Sequence, residues 1–160
     1  MHPNAHCIQT FYDAFAHKDW QAMQACYAQG CTFTDPAFGP LRGKHVHAMW
    51  RMLCENAQDF SLQYFDVQAN DVAGSCRWEP RYRFSRTGRN VHNIIRAQFK
   101  FVDGKIMQHE DIFDLWRWSR QALGTPGLLL GWSPIVQNKV RVTALKSLHT
   151  FIGGHPEYQA

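Results

Sequence analysis

"FVDGKIMQHEDIFDLW", residues 101–116, decides the fold. From Lys105 onward its residue types alternate with the period of two that marks a strand. The Asp-Gly pair before it signals a hairpin, because glycine accepts the positive φ such a turn requires. Two registers are open. A two-residue loop at Asp103-Gly104 pairs Val102 with Lys105, which sets Glu110 beside Ala97 and Asp111 beside Arg96. A three-residue loop with Gly104 as a left-handed bulge pairs Phe101 with Lys105 instead. It sets Arg96 opposite Glu110, His92 opposite Asp114, Phe113 opposite Asn93 and Asp111 opposite Ile95. The first register mixes the apolar row Val91, Ile95, Ala97, Phe99, Phe101 with Gln108 and Glu110, and the second does not. Charge pairing and face sorting favour the bulged loop. His109, Asp111 and Phe113 then share one apolar face with Asn93, Ile95 and Ala97.

Working back from this hairpin, "FSLQYFDVQA", "GSCRWEPRYRFS" and "NVHNIIRAQFKF" keep the same period and give a four-strand meander with turns at "NDVAG", "RTG" and "VDG". Trp78, Pro80, Tyr82 and Phe84 fall on the inner face. Ahead of the sheet the period is helical. Residues 4–17 carry Cys7, Ile8, Phe11, Tyr12, Ala14 and Phe15 at that spacing, and a second short helix from Trp20 to Tyr27 is closed by Gly30. "CTFTD" reads as a strand, and a third helix buries Val46, Met49, Trp50 and Leu53. Three helices followed by an antiparallel sheet is an α+β pattern, best satisfied by a curved sheet wrapped against the helices. Its inner wall is apolar, with His109, Asp111, Asn93 and the Tyr82 hydroxyl as exceptions, which is what a small-molecule pocket requires.

The bulk numbers narrow the function. At 160 residues the chain fits one domain with a sizeable core. The net charge of +4 is mildly basic, and Arg77, Arg81, Arg83, Arg86 and Arg89 interleave with apolar residues along one hairpin. That is a solvated strand face and not a nucleic-acid surface. Five cysteines without a C-x-x-C imply free thiols and a reducing cytoplasm. The N-terminus has no secretory pattern, and no run is long and apolar enough to span a membrane. His45 and His47, two apart at a helix start, do not share a face, so no metal site is expected.

Two carboxylates stand out. Asp35, in "FTDPAF", is flanked by Phe33 and Phe38. It is either a turn-forming Asp or an acid kept dry so that it holds a proton near neutrality. Asp111 sits mid-strand on the apolar face, where an unpaired charge costs several kcal/mol, so it needs His109 or a ligand.

At this point the order of elements becomes familiar. Three helices, a strand ending in "DP", "GPLRG" before a helix, and a meander ending "DGKIMQHEDIFDLWRW" resemble the SnoaL-like branch of the ketosteroid isomerase and nuclear transport factor 2 superfamily. That branch includes polyketide cyclases and is related to limonene-epoxide hydrolase. The resemblance covers about residues 5–120 and implies a cone-shaped barrel, usually dimeric, whose open end holds a hydrophobic ligand. It puts Asp35 at the isomerase's general-base position, but Phe11 and Ala97 stand where the oxyanion donors would be. Of the epoxide hydrolase's set, Asp111 matches one aspartate. Its arginine and second aspartate fall near Trp78 and Pro80, its tyrosine falls on Phe33, and Asp35 replaces its asparagine. An aspartate on the last strand is the base in the cyclases, a role open to Asp111.

The expectation is therefore a barrel over residues 1–122 and an extension over 123–160 with one amphipathic helix, which packs on the barrel or on a partner subunit. Ser133 caps that helix and Val140, Ala144, Leu148 and Phe151 form its stripe. Asp35, Asp111 and His109 are the expected catalytic groups. Phe38, Trp50, Trp78, Tyr82, Asn93, Ile95 and Phe113 are the expected ligand-binding wall. The ligand is a small apolar, polyketide-like or steroid-like molecule handled without a cofactor or metal by a homodimer that engages neither nucleic acid nor membrane. A non-catalytic binding module of the same fold is the alternative.

Overall fold

The computed structural model describes residues 1–159. Helices α1 (Pro3–Ala16), α2 (Trp20–Ala25) and α3 (Lys44–Asn56) pack on a seven-stranded curved sheet. Its strands are β1 (Tyr27–Asp35), β2 (Gly39–Arg42), β3 (Gln58–Ala69), β4 (Ala73–Phe84), β5 (Arg89–His92), β6 (Ile95–Val102) and β7 (Lys105–Ile112). The order is β2-β1-β7-β6-β4-β3, with β5 paired to β4. The class is α+β as expected, but the sheet is mixed, because β1 runs parallel to β7. The core lies between α1, α3 and the concave face, with Ile8, Phe11, Tyr12, Met49 and Trp50 essentially inaccessible.

The deciding hairpin takes neither of the two registers in full. Asp103 and Gly104 both have positive φ, at 50° and 75°, so the loop is the two-residue mirror-image turn and pairs Val102 with Lys105. The extra residue enters beyond it. Phe101 pairs with Ile106 but Lys100 with Gln108, so Met107 is bulged out. The bulge moves the ladder by one and restores the sorting of faces. His109 lies opposite Phe99 and Asp111 opposite Ala97, both buried. The charge pairs expected from the three-residue loop do not form, since Arg96 faces Ile112 and His92 bonds Glu79 at 2.8 Å.

Other boundaries shift for local reasons. The expected single strand over 90–101 is split at Asn93–Ile94, although β5 and β6 keep one register against β4. Asn93 N–H reaches the Pro80 carbonyl at 3.1 Å, and Pro80 has no N–H to return. "DLW" is not the end of a strand: Asp114 accepts from Trp116 N and Arg117 N and caps helix α4 (Leu115–Leu123). Gly30 does not stop α2, which ends at Ala25; it lies inside β1 with φ of 75°.

After α4 come α5 (Thr125–Leu130) and α6 (Pro134–Gly153), so three helices follow the sheet where one was expected. Ser133 caps α6 through Val136 N at 3.3 Å. A Cβ on Gly127 would lie 1.9 Å from the Ser119 carbonyl oxygen, so only glycine lets α5 sit this close to α4. Leu148 of α6 is fully buried in the core, whereas Leu128, Leu129, Leu130, Trp132 and Ile135 stay exposed. All five cysteines are free thiols. No described helix is long and apolar enough to cross a membrane.

Candidate functional site

A cavity of about 460 Å³ opens between the concave sheet face, α3 and α6, within the range typical of small-molecule sites. Asp35 and Asp111 both line it, together with Phe38, Trp50, Trp78, Tyr82, Asn93, Ile95 and Phe113. Residues from strands far apart in sequence meet because the sheet curls: Asp35 ends β1, and Asp111 stands on the neighbouring β7.

Each carboxylate has one anchored oxygen and one open oxygen. Asp35 Oδ1 accepts from Ala37 N at 3.0 Å and Phe38 N at 2.6 Å, the turn expected of Asp before Pro. Asp111 Oδ1 accepts from His109 Nε2 at 2.9 Å and Trp78 Nε1 at 3.3 Å. No described donor reaches either Oδ2, and neither atom is sealed away, so both face the cavity. The turn expected of Asp35 is present, and its second oxygen stays open toward the cavity. Burial pushes its carboxyl up to about 7, and the Asp111 charge adds to the rise. The Phe38 and Ala37 N–H groups and the Arg141 charge oppose it.

Behind Asp111 runs a chain of buried polar groups. Trp50 Nε1 donates to the Tyr27 hydroxyl at 2.9 Å, and that hydroxyl lies 2.7 Å from His109 Nδ1. Indole N–H can only donate, so the Tyr27 hydrogen is free for Nδ1, and every member is satisfied when His109 carries its proton on Nε2, toward Asp111. Burial above all, and then the Asp111 charge, hold the Tyr27 phenol well above its ordinary pKa of 10. His109 is 2% exposed and does not reach the cavity. Its link to the cavity wall is its hydrogen bond to Asp111.

Comparison with known proteins agrees with this architecture. Residues 8–109 match the SnoaL-like domain. The chain belongs to the SnoaL-like domain family. Solved proteins of ketosteroid isomerase-like and NTF2-like description share its fold. An M. tuberculosis LEH-like epoxide hydrolase superposes with a TM-score of 0.65 at 17% identity, covering 79% of this chain and 92% of that one. A candidate polyketide cyclase of Xanthomonas campestris pv. campestris gives 0.62 at 21% identity, covering 74% and 96%. A Catenulispora acidiphila DSM 44928 protein of ketosteroid isomerase-like fold, in complex with trimethylamine, gives 0.66 at 12% identity, covering 80% and 97%. At these identities the likeness concerns the fold. No functionally curated protein matches the chain.

In this SnoaL-like protein the match ends at His109, so Asp111 and α4 to α6 lie beyond it. Two wall residues keep a free polar end. Asn93 Oδ1 is taken by Ile94 N at 3.0 Å, which leaves Nδ2 for the cavity. Tyr82 accepts from Trp118 Nε1 at 2.7 Å and keeps its own hydrogen to donate. Tyr12, next to Phe11, is fully buried with no hydrogen-bond partner for its hydroxyl among the described residues, and it does not line the cavity.

Sequence reasoning missed Tyr27, taken as the end of α2. Its partners lie 23 and 82 positions away, so no local pattern marks it. Tyr27→Phe leaves the Trp50 N–H and His109 Nδ1 both buried and unpaired, which costs roughly 2–5 kcal/mol by the usual penalty for such groups. Urea denaturation reads this. A loss below about 0.5 kcal/mol would mean that the chain does not hold Asp111 in place.

Proposed function

We propose that the protein is an acid/base enzyme acting on a small, largely apolar molecule, with Asp111 as the base and protonated Asp35 as the acid. The observation that carries this reading is the paired arrangement of the two carboxylates. Each is fixed through one oxygen by two protein donors and offers the other to a common apolar cavity. With a pKa of about 7, Asp35 holds its proton at neutral pH for a useful fraction of the time. That proton sits on Oδ2, because Oδ1 accepts two N–H groups.

Such a pair can take a proton from a carbon or a water and give another to a developing oxyanion. Isomerisation, ring closure and epoxide opening are all of this type. An epoxide hydrolase and a candidate polyketide cyclase are among the proteins of similar fold, and epoxide opening and ring closure belong to the same class. In this reading residues 1–122 form the barrel and the chain from 123 onward roofs it, since Leu123, Val136, Val140 and Ala144 line the cavity.

5-Nitrobenzisoxazole tests the reading without knowledge of the natural substrate. Removal of its ring C–H proton by Asp111 drives cleavage of the N–O bond, and the Asp35 O–H hydrogen-bonds the oxygen as its charge develops, so that the product leaves as the nitrophenolate. Asp111 then returns its proton to water. Ring opening should exceed that in acetate of equal carboxylate concentration, and the Asp35-assisted rate should fall about tenfold per pH unit above about pH 7. No acceleration over acetate, or a rate that survives in both Asp→Asn variants, would leave a passive binding module in place of an enzyme.

A further inference from the structure

We propose that the ligand is an amphipath: an apolar body that enters the cavity and an anionic end that stays at the mouth, held by Lys139 and Arg86. This rests on the cavity's being the ligand site.

The charges of the cavity wall are sorted by depth. Among the described residues its carboxylates are Asp35 and Asp111, at the anchored positions described above. The exposed charged wall residues carry the opposite sign: Arg83, Arg86 and Lys139. Arg83 is compensated by Asp59 at 3.5 Å. Among the described residues no carboxylate pairs with Arg86 or Lys139. Arg86 instead donates to Ser147 Oγ at 3.2 Å, which draws its guanidinium from the β4–β5 turn toward α6. Lys139, Thr143 and Ser147 follow at intervals of four on α6, on one face, and all three line the cavity.

The sequence supports the sorting over a longer span. Between Asp114 and Glu157 there is no Asp or Glu, whereas Arg117, Arg120, Lys139, Arg141 and Lys146 are all cationic. The roof of the cavity therefore has no acid of its own to neutralise the mouth. Two uncompensated cations beside hydroxyl donors and a water-poor hollow form a receptor for a carboxylate or similar anion whose remainder is apolar. A neutral hydrocarbon would leave both cations unused.

Two fluorescent probes that differ by one charge decide it: 8-anilinonaphthalene-1-sulfonate and neutral N-phenyl-1-naphthylamine, titrated into the full-length protein. The sulfonate should bind about tenfold more tightly at low salt, and the advantage should shrink as salt rises. Arg86→Ala with Lys139→Ala should remove the preference and leave the neutral probe within about twofold. Both side chains are exposed, so the fold is not at risk. Ala144→Trp, which puts a bulky ring into the cavity wall, should weaken binding of both probes severalfold. Equal affinity of the two probes, or a preference that survives the double substitution, overturns the anionic end and leaves the cavity standing as the ligand site. Binding of neither probe, or binding that Ala144→Trp does not affect, removes the cavity itself as the ligand site and the proposal with it.

Discussion

Asp111→Asn is expected to slow ring opening of 5-nitrobenzisoxazole by about 10²–10⁴-fold, the usual contribution of a positioned general base, while N-phenyl-1-naphthylamine affinity changes by no more than about threefold. The separation of the two effects follows from which oxygen does what. Oδ1 is the acceptor for His109 Nε2 and Trp78 Nε1, and an asparagine carbonyl can accept both. The amide NH₂ then occupies the place of Oδ2, the same in size but without the lone pair that would take a proton. Shape, burial and both hydrogen bonds persist, and only basicity is lost. Asp111→Ala is a poorer test, because it strands the His109 and Trp78 donors in the core and confounds chemistry with folding. A rate retained in Asp111→Asn but lost in Asp35→Asn would reverse the assignment of base and acid. Loss of probe binding in Asp111→Asn would show that the carboxylate serves to hold the ligand.

That a sequence should bring Asp111 to the right face and yet give the wrong ladder partners has a simple physical origin. Burial has a period of two along a strand, so it fixes parity. It cannot distinguish the three-residue loop from a two-residue loop followed by a bulge at Met107, because both return His109 and Asp111 to the apolar side. The local turn chemistry of Asp103-Gly104 and the longer-range sorting each held, and the bulge reconciles them.

The placement of the two acids on the cavity wall was legible for a similar reason. An aspartate among Phe33, Pro36 and Phe38, and another in the middle of an apolar row, are each costly unless used. What could not be read is whatever depends on closure of the sheet. The parallel β1–β7 contact brings Phe33 beside His109 and gives Tyr27 its histidine, and no pattern within either strand encodes it. The helical roof was only half legible. Ser133 and Pro134 announce α6, but Asp114 looked like strand until its side chain was seen to accept from Trp116 and Arg117.

Asp35→Asn is expected to make the protein more stable at pH 8 by roughly 2–4 kcal/mol and to leave it nearly unchanged at pH 4. The native pKa is about 7 against an ordinary 3.8, and at about 1.4 kcal/mol per pKa unit this corresponds to at most about 4 kcal/mol, less where water reaches the open oxygen. The direction follows from proton binding. Below about pH 4 the folded and unfolded chains both hold the proton, and Asp35 contributes no difference. Between about 4 and 7 the unfolded chain has released it and the folded chain has not, so rising pH favours unfolding. Above about 7 the folded chain carries a partly desolvated carboxylate in the field of a second one, and the penalty is complete. Asparagine at this position still accepts from Ala37 and Phe38 through its carbonyl oxygen and keeps the turn before Gly39. It has nothing to ionise. Urea denaturation of both proteins at pH 4, 6 and 8 reads the difference, in which the titrations common to both chains cancel. A difference that stays flat over this range would mean that Asp35 ionises as freely as it does in water. The pocket would then have no acid at neutral pH, whereas the expected slope would mark a group whose folded environment opposes its charge, as a proton donor at pH 7 requires.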